Sequence, residues 1–221
     1  MSLKIIKTSD GSDTIYNSEL NETYHSVHGS INESSHVYIE EGLNYFKKNV
    51  SRETYKIFEV GFGTGLNFVL SYLFSEDKSI SIDYHSIEPF PLPDEVIKNL
   101  NYFETENKIR KIYQRSHSQK FNEKVPYSNS FTLTKEKKTL EEITINNSFD
   151  IIYFDAFAPS KQPNIWSSKN LLKIFNCMIK GSVLVTYCSS GKFKRDLQEV
   201  GFSVETIPGP LGKKEMVRAT K

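Results

Sequence analysis

An acid followed by three alternating glycines, Glu59-Val60-Gly61-Phe62-Gly63-Thr64-Gly65, lies between the apolar run Tyr55-Lys56-Ile57-Phe58 and the stretch Leu66-Asn67-Phe68-Val69-Leu70-Ser71-Tyr72-Leu73-Phe74. Glycines where a buried strand turns directly into a helix mark the ligand edge of an open α/β sheet. A dinucleotide fingerprint needs a further glycine three residues after the second, but Leu66 stands there, and no Gly-Lys-Ser/Thr follows as in a phosphate loop. The alternating glycines let backbone pass close to a ligand, and Glu59 places an anion at the strand's end, which repels phosphate and suits a cation. S-adenosylmethionine, with a sulfonium, an ammonium and no phosphate, fits this loop. The alternative is a glycine turn that only lets the helix pack on the strand.

From about residue 55 the chain reads as alternating strands and helices. Strands are expected at 55–60, 80–87, 131–133, 149–154 and 182–187, and helices at 64–74, 93–103, near Thr139, 167–179 and 192–200, the last ended by Gly201. Segments 202–207 and 215–219 close the sheet as an antiparallel pair around Pro208-Gly209-Pro210. The polar stretch 106–130 is read without an element. Sequential β/α units imply a mostly parallel seven-stranded sheet with helices on both faces, the architecture of Rossmann-like class I methyltransferases.

Residues 1–50 stand apart from that series and are expected to form a cap or lid segment. It carries a short strand at 14–16 and a helix at 34–46 with Val37, Ile39, Leu43 and Phe46 inward; residues 51–221 form one compact domain. Tyr24, His25, Ser26, His28 and His36 cluster in the lead segment, but without the His spacing and carboxylate of a metal site, so no metal is expected. Apolar runs are of strand length, far short of the ~20 residues a membrane span needs. No signal peptide is visible, and Cys177 and Cys188 have no metal-ligand spacing, so a reduced, cytoplasmic setting is expected.

A second stretch, Phe149-Asp150-Ile151-Ile152-Tyr153-Phe154-Asp155-Ala156-Phe157-Ala158-Pro159, ends an apolar strand on an acid. In a doubly wound sheet this strand neighbours the glycine-loop strand, so Asp155 faces whatever is methylated. The other reading is an aspartate that caps a helix or binds loop amides. Phe157 and Trp166 are candidates for the wall around a planar base, Trp166 equally for simple packing.

The segments Gly61-Phe62-Gly63-Thr64-Gly65-Leu66-Asn67-Phe68, Asp155-Ala156-Phe157-Ala158-Pro159 with Gln162-Pro163 and Trp166, and Gly212-Lys213-Lys214-Glu215-Met216 resemble the methyltransferase domain of the MnmC family. Tyr24-His25-Ser26, Glu33-Ser34 and His36-Val37-Tyr38-Ile39 with Gly42-Leu43 are similar to the family's opening. The resemblance spans nearly the whole chain. It implies transfer of a methyl group from S-adenosylmethionine to the amine of 5-aminomethyl-(2-thio)uridine at wobble position 34 of tRNA, with the anticodon stem-loop as partner. By resemblance Asp155 is the catalytic acid; Glu59, Gly61, Phe62, Gly63, Gly65, Asn67 and Glu88 form the cofactor set, Glu59 at the amino-acid end and Glu88 at the ribose. Tyr24, His25, Phe157, Pro159, Trp166, Lys192, Lys213 and Lys214 form the substrate set.

A carboxylate at its ordinary pKa of about 4 is a weak base for an ammonium, so Asp155 is expected to position the amine rather than take its proton. Bifunctional relatives also have a flavin-dependent oxidoreductase domain, for which 221 residues leave no room, so the aminomethyl precursor is expected from elsewhere. The sequence Lys135-Glu136-Lys137-Lys138-Thr139 leaves the adenine contact unassigned. Net charge is only +1, so the tRNA assignment comes from the resemblance and not from electrostatics. A small-molecule amine N-methyltransferase and a non-catalytic RNA-binding module are the alternatives. An aminopropyltransferase of the spermidine synthase type normally has a second aspartate where Ala158 stands.

Overall fold

The computed structural model describes residues 3–145 and 148–221. Strands β1 (Leu3–Lys7), β2 (Asp13–Asn17) and β3 (Glu22–Thr23) form a small antiparallel sheet. A helical stretch, 30–49, follows without a break and is π-helical over Ser35–Asn44. The large sheet then takes β4 (Thr54–Val60), β5 (Ser81–Ile87), β6 (Lys124–Pro126), β7 (Phe131–Glu136), β8 (Phe149–Phe154), β9 (Met178–Thr186), β10 (Ser203–Pro208) and β11 (Glu215–Thr220).

Its order is β10-β11-β9-β8-β4-β5-β7-β6. The five central strands are parallel, β10 and β11 run antiparallel at one edge, and β6 is an added short antiparallel strand beyond the expected seven. The chain leaves β4 for β5 on one side and returns to β8 on the other. The crevice at β4 is therefore the switch point where ligands bind in doubly wound sheets.

Strands β4, β8 and β9 are buried on both faces at the sheet's centre, so their apolar residues alternate between two cores. Ile57, Tyr84, Tyr153 and Val185 belong to one; Phe58, Ile87, Phe154 and Leu184 belong to the other. The 30–49 helix closes the first core. Gly42 lies so near the sheet that a Cβ would meet Val185 at 2.9 Å and Tyr153 at 3.3 Å, and the Tyr38 ring packs on Tyr153 at 5.1 Å. Thus the lead segment contains both a small outer sheet and a helix that is one of the layers over the main sheet.

Three local expectations differ from the structure. The polar stretch after residue 106 contains the helix Asn107–Ser118, which buries Ile109, Tyr113 and Ser116 and exposes its charges. The helix after Pro93 spans Asp94–Asn99 and stops early because Leu100 turns extended and, with Tyr102, goes into the core. Arg110 holds that end by donating to the carbonyls of Lys98, Leu100 and Tyr102 at 2.6 to 2.7 Å. Near Thr139 there is a turn instead of a helix. Among the described residues no helix is long and apolar enough to cross a membrane.

Candidate active site

At the carboxyl ends of β4, β5 and β8 lies a cavity of 540 Å³. Its floor is set by backbone contact between neighbouring strand ends. The Asp155 amide donates to the Val60 carbonyl at 3.0 Å, and a Cβ on Gly61 would lie 2.4 Å from the Asp155 carbonyl oxygen. Only glycine permits that approach, and Gly61 also has φ +95°. Gly63 lines the cavity and donates its N–H to the Glu88 carboxylate at 2.9 Å, while the other Glu88 oxygen accepts from Phe90 N–H at 2.9 Å. Burial pushes the Glu88 pKa up, and those two donors oppose the shift.

Asn67, on the helix Leu66–Lys78, links the two central acids. Its Nδ2 donates to Asp155 Oδ2 at 2.7 Å and to Glu59 Oε1 at 3.1 Å. In this orientation the amide presents its NH2 group to both carboxyl groups. Asn67 Oδ1 is then buried with no donor among the described residues. Burial raises the Asp155 pKa to about 7, against the lowering effects of Tyr38 and Asn67. The Tyr38 hydroxyl is near enough to act on Asp155 but short of a well-aligned hydrogen bond. Burial thus places this acid's titration near neutrality, above the ordinary carboxylate value of about 4.

Several residues expected at the ligand sit elsewhere. Glu59 is fully enclosed, accepting from Ser86 Oγ at 2.8 Å as well as from Asn67; burial, followed by the charge of Asp155, holds its pKa well above the carboxylate range. Its influence reaches the cavity through Asn67. Gly65 starts the following helix, where a Cβ would meet His117 at 2.8 Å and Phe62 at 3.0 Å, so that glycine serves helix packing. Trp166 is 4% exposed and lies behind the loop, edge-on to Phe154 and Phe193, its Nε1 donating to the Phe157 carbonyl at 2.8 Å. Pro159, Lys192 and Lys214 are not among the lining residues; Lys192 is exposed and paired with Asp196.

Tyr24, His25, Phe157 and Lys213 do line the cavity, with Phe62 and Asn67. Tyr24 meets Phe157 edge-on at 4.8 Å. His25 is buried between Thr64 and Tyr102, and burial lowers its pKa to about 4, so it is neutral. Lys213 pairs with Glu33 at 2.6 Å and lies 3.9 Å over the Tyr187 ring. His28 packs against Gly212, and His36 bonds the Pro208 carbonyl at 2.9 Å. The lead segment, the loop after Asp155 and the β10–β11 connection therefore meet over the cavity. No group of three or more residues able to hold a metal is found among the described residues.

The sequence reading did not single out Glu22, Tyr38, His117 or Lys135. His117 donates to the Thr64 carbonyl at 2.9 Å and braces the glycine loop; burial takes its pKa to about 3. Lys135 lies under Phe62 and Phe121, with its pKa lowered by burial to about 8. The spacing Ile109, Ile112, Tyr113, Ser116 is the helical signal that would have located the His117 helix. A second cavity of 340 Å³ adjoins the first, shares Gly61, Pro89, Phe90, Gln162 and Ile165 with it, and is also walled by Leu140 and Pro163.

Residues 105–221 match the profile of a family described as S-adenosyl-L-methionine-dependent methyltransferase. The tRNA 5-methylaminomethyl-2-thiouridine biosynthesis bifunctional protein MnmC of Campylobacter hominis is 32% identical over 212 residues, covering 93% of this chain and 31% of its own length. The protein of that name from Leptospira interrogans is 29% identical over 214 residues, covering 90% of this chain and 32% of itself. The chain thus spans about a third of the length of the curated relatives it matches. Among solved structures, MNMC2 from Aquifex aeolicus superposes with TM-score 0.80 at 24% identity over 99% of this chain and 70% of that one. Spermidine synthase from Thermotoga maritima shares the fold at TM-score 0.56 and 10% identity, over 100% of this chain and 79% of that one.

Proposed function

The chain belongs to this family of S-adenosyl-L-methionine-dependent methyltransferases, and we propose that it methylates the amine of 5-aminomethyl-(2-thio)uridine at the wobble position of tRNA. The observation that carries this reading is Asp155: an acid with pKa raised to about 7, hydrogen-bonded to Asn67, in a cavity also lined by Glu22, Glu33 and Glu88. Such a lining suits a cationic amine and disfavours a phosphate or carboxylate acceptor. The relatives' names supply the tRNA; the acids support the amine.

The residues present fit the cofactor. Asn67 Oδ1, a buried acceptor without a donor, suits its ammonium, the Glu88 carboxylate its ribose hydroxyls, and the adjoining cavity walled by Leu140, Pro163 and Ile165 its flat adenine. When bound, S-adenosylmethionine supplies an electrophilic methyl group and leaves as a neutral thioether. Asp155 orients the acceptor amine, accepts its N–H and holds the proton that must leave before the nitrogen lone pair is free. Asn67 keeps the carboxylate aimed, and Tyr24 with Phe157 flanks the base. Lys213 is the proposed phosphate contact nearest the cavity; Lys192 and Lys214, outside it, are placed as outer contacts to the anticodon stem.

The test is incubation of the purified protein with S-adenosylmethionine and tRNA from cells lacking its gene, followed by digestion and mass spectrometry. A one-methyl gain on 5-aminomethyluridine, lost in Asp155→Ala with cofactor binding kept, is the expected result. Tight cofactor binding without that gain would move the acceptor to a free amine.

A further inference from the structure

The cavity has two walls of different origin. Gly63, Asn67 and Glu88 come from the ends of β4 and β5 and the helix between them, whereas Glu22 and Tyr24 come from the small outer sheet and the turn after it and face the loop after Asp155. The acids on these walls are partnered, with one exception. Glu33 is paired with Lys213 at 2.6 Å and accepts Ser26 N–H at 2.6 Å; Glu88 accepts two amides; Asp155 accepts from Asn67. Glu22 has only the Ala158 amide, at 3.4 Å to Oε1. Its Oε2 is sealed from solvent without a donor, and it forms no ion pair within 4.0 Å among the described residues. Lys161 and Lys213 act on it through space alone, and burial raises its pKa. Glu22 is partly exposed at the cavity wall, and a carboxylate with one oxygen out of water and without a donor is only half paired by the described residues.

We propose that Glu22 is the specificity-determining residue of the acceptor site: its carboxylate receives the N–H groups of the aminomethyl nitrogen, and its charge rejects a nitrogen that already bears a carboxymethyl group. This rests on the reading of the protein as an aminomethyluridine methyltransferase. The chemistry leaves Glu22 a partner throughout. The ammonium gives one proton to Asp155 or to water, and its lone pair forms the new N–C bond as the methyl–sulfur bond breaks with its electron pair kept by sulfur. The nitrogen ends as a methylammonium with two N–H groups. A carboxymethyl group on that nitrogen brings an anion toward both Glu22 and Asp155, and like charges at that spacing weaken binding.

The test compares wild type, Glu22→Gln and Glu22→Asp on tRNA carrying 5-aminomethyluridine and on tRNA carrying 5-carboxymethylaminomethyluridine, with S-adenosylmethionine affinity measured separately. Gln keeps the acceptor for Ala158 N–H and removes only the charge, so a purely structural latch would survive it. The expected result is a KM for the aminomethyl tRNA raised about tenfold in Glu22→Gln, with kcat and cofactor affinity changed less than about threefold and partial recovery in Glu22→Asp. Discrimination against the carboxymethylated tRNA should narrow in parallel. An active wild type with unchanged KM and discrimination in Glu22→Gln, or an equal loss of cofactor affinity, overturns the assignment of Glu22 alone. A wild type that methylates neither tRNA overturns the functional reading and this inference with it.

Discussion

The two walls of the cavity are built in different ways. The wall proposed for the methyl donor comes from one continuous strand, turn and helix, Thr54–Val60 through Leu66–Lys78, and the end of the next strand. The wall proposed for the acceptor is assembled from residues 17–28, Glu33, the loop after Asp155 and residues 212–213, segments far apart in sequence. A local wall keeps its geometry through backbone register. An assembled wall depends on side-chain contacts such as Lys213–Glu33 and His28 on Gly212, and its losses should fall on acceptor binding first.

The largest effect expected is at the acid shared by both walls. Asp155→Asn should lower methyl transfer by about a thousandfold while cofactor affinity, followed by calorimetry, changes little. The same variant tests the raised pKa. The fold holds the Asp155 proton more tightly than the unfolded chain does, so this group's stabilising contribution is complete below about pH 4 and is lost as pH rises through about 7. Thermal unfolding of Asp155→Asn should therefore match wild type at pH 4, rise above it between pH 4 and 7, and keep a constant advantage at pH 8. Single-turnover transfer by the wild type should climb across the same neutral range.

Next in size is a break of the donor wall. Gly61→Ala places a methyl 2.4 Å from the Asp155 carbonyl oxygen at φ +95°, and should cost about 3 kcal/mol, seen as a melting temperature lower by roughly 10 °C. Glu88→Gln should weaken cofactor binding about tenfold and leave tRNA binding alone; an equal loss of both would mean that the two walls are one. Lys213→Ala should raise the KM for tRNA several-fold at constant cofactor affinity, with a shallower salt dependence. The smallest effect belongs to Lys192→Ala: exposed, off the cavity and paired with Asp196, it should change the KM for tRNA by less than about twofold.

This contrast also explains what could be read from the chain beforehand. Strands β4 and β8 were legible because residues buried on both sides leave short, mostly apolar runs such as Ile57-Phe58 and Ile151-Ile152-Tyr153-Phe154, and the glycine loop because strand, acid and glycine stand in consecutive order. The helix carrying His117 was hidden by its composition: Lys108, Arg110, Lys111 and Arg115 mask the few inward positions. At Trp166, sequence alone could not separate a base-stacking wall from a packing residue, since either needs a large ring near the loop; its burial against Phe154 and Phe193 decides. Glu59 was legible as a site acid but not as an enclosed one, because the Ser86 and Asn67 contacts that cover it are made across strands. Glu22, in a strand of two residues, gave no local signal; its meaning comes from Ala158, 136 residues away.

The contact between Gly61 and the Asp155 carbonyl makes the donor loop and the acid mechanically a single piece. A displacement of either strand end therefore carries the other with it, so the spacing between the glycine loop and the carboxylate is held by backbone contact. The 209–214 turn is held to the lead segment by side chains alone, the Lys213–Glu33 ion pair and the His28 ring on Gly212, contacts that can part and re-form without moving that backbone pair.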